Sequence, residues 1–247
     1  MIRDSLVYWA QNLGVDGFRF DLASILERDP NGNFHQGSEL LWELKNELGL
    51  AGIKMIAEPW DAVGGYRLGY PSKNAGWAEW NDSFRDTVRK AVRGDEGQMT
   101  ALKEAILGSP GKFGSIDKGR EFSINFITSH DGMTLNDLVS YNHKHNLENG
   151  EENRDGHNSE FSFNCGIEGP TQDAEVLELR RRKIRLMHFL LQVSNGIPMM
   201  LAGDEMLRTQ LGNNNAYCHD SPLTWVDWTL AERNSELVEY VGSLIDF

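Results

Sequence analysis

The chain alternates short apolar runs with amphipathic stretches, and that alternation predicts its elements. Leu6, Val7, Trp9, Ala10 and Leu13 fall on one helical face, so residues 4–13 are expected to form a helix that Gly14 stops. Apolar runs at 15–20, 53–57, 123–128 and 197–202, with a shorter one at 77–81, read as five strands. Helical patterns lie between them at 38–48, 82–93, 98–107 and 173–194. Ser38 and Asp95 are candidate N-caps, and Gly49 is a stop. Residues 29–37, 61–76 and 141–172 are rich in Gly and polar side chains and read as loops.

A strand-loop-helix order without internal sequence repeats predicts an α/β fold with a parallel sheet. The spacing fits a (β/α)8 TIM barrel, whose units run to roughly 30 residues. About one unit separates the first two strands, and about two separate 53–57 from 123–128, which leaves room for the strand at 77–81. Five strands cannot close an eight-stranded barrel. The expectation is therefore the C-terminal portion of a barrel, about strands 4 to 8, with residues 1–247 as one partial catalytic domain.

Composition narrows the function without naming it. The 247 residues are 40% hydrophobic and 25% charged, as in an ordinary globular protein. A formal charge of −13 repels nucleic-acid phosphates and anionic membranes, but a neutral sugar meets no such penalty. The most apolar stretch, 184–203, is interrupted by Arg185, His188, Asn195, Gly196 and Pro198, so no membrane span is expected. The first six residues lack the apolar core of a signal peptide. Cys165 and Cys218 have neither metal-ligand spacing nor a disulfide pattern and are read as reduced and unpaired.

Three acids stand at the ends of apolar runs: Asp21, Glu58 and Asp131. The carboxyl end of a strand is where an α/β barrel keeps its catalytic groups. Strand alternation puts Arg19 on the same side as Asp21, and a cation there keeps a nucleophilic carboxylate ionised. Glu58 follows Met55-Ile56-Ala57, and apolar surroundings suit a proton donor. His130 and Asp131 together can bind sugar hydroxyls and favour positive charge at an anomeric carbon. Each acid also has a plainer reading: a helix cap for Asp21, a solvated loop residue for Glu58, a turn cap for Asp131. Trp60, Tyr66, Tyr70, Trp77, Trp80 and Tyr141 offer faces on which sugar rings stack, or simply pack.

No metal and no cofactor are assigned. His143, His145 and His157 match no strong zinc pattern. The Asp29–Asn33 run begins like a calcium loop, then lacks the Gly at its sixth position and the Glu at its twelfth. No phosphate-binding glycine loop follows a strand.

At these residues the sequence closely resembles the α-amylase superfamily, glycoside hydrolase family 13. Gly17-Phe18-Arg19-Phe20-Asp21, Ala57-Glu58-Pro59-Trp60 and Phe126-Ile127-Thr128-Ser129-His130-Asp131 look like its second, third and fourth signature regions. Asp131 to Tyr141, Lys144-His145-Asn146, Asn153-Arg154-Asp155-Gly156, Asn164-Cys165-Gly166 and Gly212 to Cys218 resemble the isoamylase-type debranching enzymes within it. The resemblance implies Asp21 as nucleophile, Glu58 as general acid/base and Asp131 as transition-state stabiliser. Arg19, His130 and Trp60 would contact substrate or orient the acids.

It further implies a retaining hydrolase of α-1,6 branch linkages in glycogen, amylopectin or limit dextrin, in the cytoplasm. The alternatives are an α-1,4-acting hydrolase or glucanotransferase of the same superfamily, or a non-catalytic glucan-binding piece. The first signature region, the N-terminal β-sandwich domain and the C-terminal β-domain have no counterpart here, and Met133 stands where an aromatic is expected. The isolated polypeptide is therefore expected to be inactive as a fragment.

Overall fold

The computed structural model describes residues 1–29, 31–34 and 39–246. From the N-terminus run α1 (Ile2–Leu13), β1 (Gly17–Phe20), α2 (Glu39–Asn46), β2 (Lys54–Ala57), α3 (Tyr70–Ala75) and β3 (Ala78–Asn81). Then come α4 (Asp82–Arg93), α5 (Met99–Ile106), α6 (Pro110–Phe113), α7 (Ile116–Phe122), β4 (Ser123–Phe126) and α8 (Leu135–Leu138). The last are α9 (Ala174–Val193), β5 (Ile197–Met199), α10 (Thr229–Arg233) and α11 (Ser235–Ile245).

The strands lie in one sheet in chain order, β1 to β5, and the pairings β1–β2, β2–β3 and β3–β4 are parallel. Gly17 is level with Lys54 and Phe20 with Ala57, so β1 and β2 end together. This parallel sheet with its helices is the partial α/β barrel that the alternation predicts. All four residues of β4 are buried, as in a parallel strand covered on both faces.

The chain divides into two compact units, each with its own apolar core. The first holds residues 1–81, 107–125 and 195–197, and packs Leu41, Leu44, Leu50, Met55 and Trp77 together. The second holds 82–106, 126–194 and 198–247, built around Phe84, Val88, Ile184, Met187 and Leu191. Helix periodicity explains both sets. Phe84, Val88 and Val92 form one face of α4, and Ile184, Met187, His188 and Leu191 form one face of α9. Asp173 caps α9 by accepting from the Glu175 and Val176 N–H groups, both at 3.0 Å. Gly14 ends α1 with φ of 72°, a conformation that needs glycine.

Some expectations need correction. Asp95 does not cap α5, because its carboxylate is held by the Arg93 guanidinium at 2.5 and 2.6 Å. The stretch 61–76 is not all loop: α3 starts at Tyr70 with Pro71 in its first turn. β5 ends at Met199, short of the expected residue 202. The Ser38 cap lies outside the described residues. Cys165 is buried and Cys218 exposed, and both are free thiols. Among the described residues no helix is long and apolar enough to cross a membrane.

Candidate active site

In the first unit, β1 and β2 deliver Arg19, Asp21 and Glu58 side by side. Arg19 Nη1 donates to Asp21 Oδ1 at 2.6 Å, and Arg19 Nη2 stands 3.0 Å from Glu58 Oε1. One guanidinium therefore bridges two carboxylates carried by adjacent strand ends. It lies over the Trp80 ring, 4.3 Å from the centroid, so β3 supplies the platform that fixes the cation. Asp21 opens to solvent with a side chain 72% exposed, whereas the Glu58 side chain is 6% exposed.

Glu58 is tied twice more to the turn after β1. Leu22 N–H donates to Glu58 Oε2 at 2.6 Å, and Ala23 N–H donates to the Glu58 carbonyl oxygen at 2.9 Å. Leu22 adopts φ of 45°, strained for a residue with a Cβ, at the position following Asp21. A cation and an N–H thus stand against Glu58, in addition to the apolar run Met55-Ile56-Ala57 that precedes it. The plainer reading of Asp21 is not realised either: the short turn Ala23–Glu27 has no side-chain cap.

Trp60 faces Tyr66 across an isolated antiparallel bridge. Asp61 shapes that turn by accepting from the Val63 and Gly65 N–H groups at 3.0 and 2.8 Å, while its other oxygen accepts from Ser24 Oγ and Arg28 Nε, both at 2.9 Å. Burial is the largest single influence and pushes its carboxyl up, but these donors together outweigh it and hold the group down at about 2. Asp61, Arg28 and Ser24 were not singled out from sequence, and no local motif marks them. Of the other aromatics, Trp77 is fully buried against Phe20 at 4.7 Å and Tyr141 is buried, so both serve packing. Tyr70 lies under the Arg67 guanidinium at 3.3 Å, and Arg67 pairs with the buried Glu27.

The second unit carries His130 and Asp131, four and five residues past the end of β4. Their side chains are each 57% exposed, with His130 Nε2 3.5 Å from Asp131 Oδ2. Met133, two residues on, is buried. Among the described residues no cluster of three or more His, Cys, Asp or Glu side chains could hold a metal ion.

Comparison with known proteins gives this geometry its context. No family model matches the chain. It is 47% identical over 242 residues to a glycogen operon protein GlgX homolog of Mycobacterium tuberculosis, covering 97% of this chain and 33% of that protein. It is 46% identical over 246 residues to a glycogen debranching enzyme of Pectobacterium carotovorum, covering 99% and 36%. Among solved structures, a type I pullulanase from Bacillus subtilis complexed with maltose superposes with a TM-score of 0.72 at 25% identity, over 99% of this chain and 32% of that one. The chain spans about a third of the length of the curated relatives it matches. Over that third, it is homologous to proteins named glycogen debranching enzyme and isoamylase.

Proposed function

We propose that this chain is the catalytic portion, about strands four to eight, of a (β/α)8 barrel that hydrolyses α-1,6 branch linkages of glycogen- or starch-type glucans with retention. The observation that carries the reading is the single guanidinium of Arg19 held between Asp21 and Glu58. A retaining glycosidase needs two carboxyls about 5–5.5 Å apart. Two acids on neighbouring strand ends, sharing one cation, suit that requirement.

In this reading Asp21 Oδ attacks the anomeric carbon while the Glu58 carboxyl gives its proton to the departing glycosidic oxygen. The C–O bond to the branch breaks as the bond to Asp21 forms. Glu58, now a carboxylate, takes a proton from water, whose oxygen displaces Asp21 and restores the enzyme. Arg19 orients Asp21 and offsets its charge. Asp131 and His130 take the stabiliser and hydroxyl-binding roles that their motif implies, and Trp60 offers a stacking face. The chain's charge of −13 favours a neutral glucan over polyanions. A cytoplasmic site of action accompanies this reading, through the glycogen-operon naming of the relatives.

The test is reducing-end release from glycogen, limit dextrin and linear maltodextrin by the purified chain and by the polypeptide that carries it. Release confined to the branched substrates and abolished in Asp21→Ala supports debranching. Release from maltodextrin favours α-1,4 action, and chain-length redistribution without new reducing ends favours transfer. Glucan binding without turnover in any form leaves the non-catalytic alternative.

A further inference from the structure

The segment carrying His130 and Asp131 is tied at both ends, through Arg89 and Asn214, to one buried carboxylate, and we propose that Glu160 is the residue that positions Asp131. This rests on the assignment of Asp131 as transition-state stabiliser. Glu160 belongs to the long polar loop after β4, and it is buried together with Arg89 of α4. Arg89 Nη1 donates to Glu160 Oε2 at 2.7 Å and to the Glu160 carbonyl oxygen at 3.1 Å. The same guanidinium donates from Nε to the Ile127 carbonyl oxygen at 2.8 Å, at the near end of the segment.

The far end is reached through Asn214. Its Nδ2 donates to Glu160 Oε1 at 2.8 Å, and its carbonyl oxygen accepts the Gly132 N–H at 3.1 Å. Gly132 has φ of 90°, and a Cβ there would stand 3.2 Å from both Glu160 carboxylate oxygens. Glycine thus lets the backbone beside Asp131 sit directly against the carboxylate. Asn214 is itself fixed by a reciprocal clasp with Asn146: its N–H donates to Asn146 Oδ1 at 3.0 Å, and Asn146 Nδ2 donates back to its Oδ1 at 2.8 Å.

Both Glu160 oxygens are therefore committed, one to each route, and Ile127 and Gly132 bracket the residues that face solvent. A buried ion pair is weak evidence for stability, because desolvation offsets much of its attraction. Its best-attested use is to fix one arrangement among several, and the arrangement fixed here is that of residues 127–132. Glu160 touches no substrate in this account; it acts through Asp131 as a positioning residue.

Three variants of the chain test this. Asp131→Asn is the reference, since it changes the group 3.5 Å from His130 Nε2 and so shifts the His130 ring signals seen by NMR at fixed pH. Glu160→Gln keeps the shape and removes the charge facing Arg89. Arg89→Met/Glu160→Leu replaces the pair with apolar side chains, a change that commonly leaves folding intact or improves it. Both are expected to move the His130 ring signals toward those of Asp131→Asn. In the polypeptide that turns over branched glucan, both should lower kcat by about 10²-fold with KM within about twofold.

A purely structural pair would be satisfied by the apolar double variant. A double variant with wild-type melting, wild-type His130 ring signals and wild-type kcat overturns the proposal, even where Glu160→Gln fails to fold. If Asp131→Asn leaves turnover intact while the Glu160 variants still move the His130 ring signals, the catalytic assignment of Asp131 falls and the positioning of the segment by Glu160 stands.

Discussion

Removing the Arg19 guanidinium should cost stability almost entirely on the Glu58 side. Breaking a buried ion pair by deleting one partner costs about 3–5 kcal/mol. Here Glu58 is nearly dry but the Arg19 side chain is 24% exposed, so solvent screening brings the expected loss down to about 2–3 kcal/mol. The lost contact with the Trp80 face adds about 0.5 kcal/mol. For a chain of this size each kcal/mol is worth about 2–4 °C, so Arg19→Met should melt about 6–12 °C below wild type. Asp21→Asn removes the other partner, but that carboxylate is 72% exposed and its loss should cost no more than about 0.5 kcal/mol.

Differential scanning calorimetry on the chain and the two variants reads this directly, with Arg19→Lys as a third. A lysine keeps the charge yet cannot face two carboxylates and stack on an indole at once, so it should fall between wild type and Arg19→Met. An Arg19→Met melting point within about 2 °C of wild type would refute the reasoning. So would an Asp21→Asn that loses as much as Arg19→Met, because the exposed acid would then carry the energy assigned to the buried one. Under the proposed mechanism Asp21→Asn is also inactive, giving a stable protein without turnover.

Burial pushes the Glu79 carboxyl up to about 7, so between its ordinary 4.5 and pH 7 the folded chain keeps a proton that the unfolded chain has released. Its contribution to stability is whole below about pH 4.5 and lost as pH rises to 7; Glu79→Gln should flatten that part of a melting-temperature profile. Asp204, also pushed up to about 7 by burial, acts in the same window, so some slope should survive until Asp204→Asn is added. Gly119→Ala should destabilise by about 1–3 kcal/mol in urea titration, because a Cβ there would overlap the Gly108 carbonyl oxygen. With a thiol-specific disulfide reagent, Cys218 should react at once, whereas buried Cys165, its thiol pKa raised by desolvation, should wait for unfolding.

Local patterns carried the frame of this fold because each depends on neighbours in the chain. The apolar face of α4, the Asp173 cap and the glycine after α1 are all decided within a few residues, and these elements fall where the periodicity places them. Asp21, Glu58 and Asp131 were visible for the same reason: a polar residue ending an apolar run is a local event. Asp95 shows the limit, since Arg93 two residues away offered a stronger partner than the helix it was expected to cap.

What stayed illegible is whatever is decided by partners far apart in sequence. Nothing near Met55 to Ala57 shows that Glu58 will face Arg19 of β1 and the Leu22 N–H of the turn after it. Arg89 looks like one more charge on a polar helix, and Glu160 like one more polar residue in a loop. Only when α4 and that loop are packed do they become a dry pair beneath Gly132, joined by an asparagine 54 residues beyond Glu160. A sequence signal for such a pair would be a Gly immediately after a catalytic-looking acid, because that is where a backbone can approach a buried carboxylate. Gly132 stands in that position, and its positive φ is the local trace of a contact made at long range.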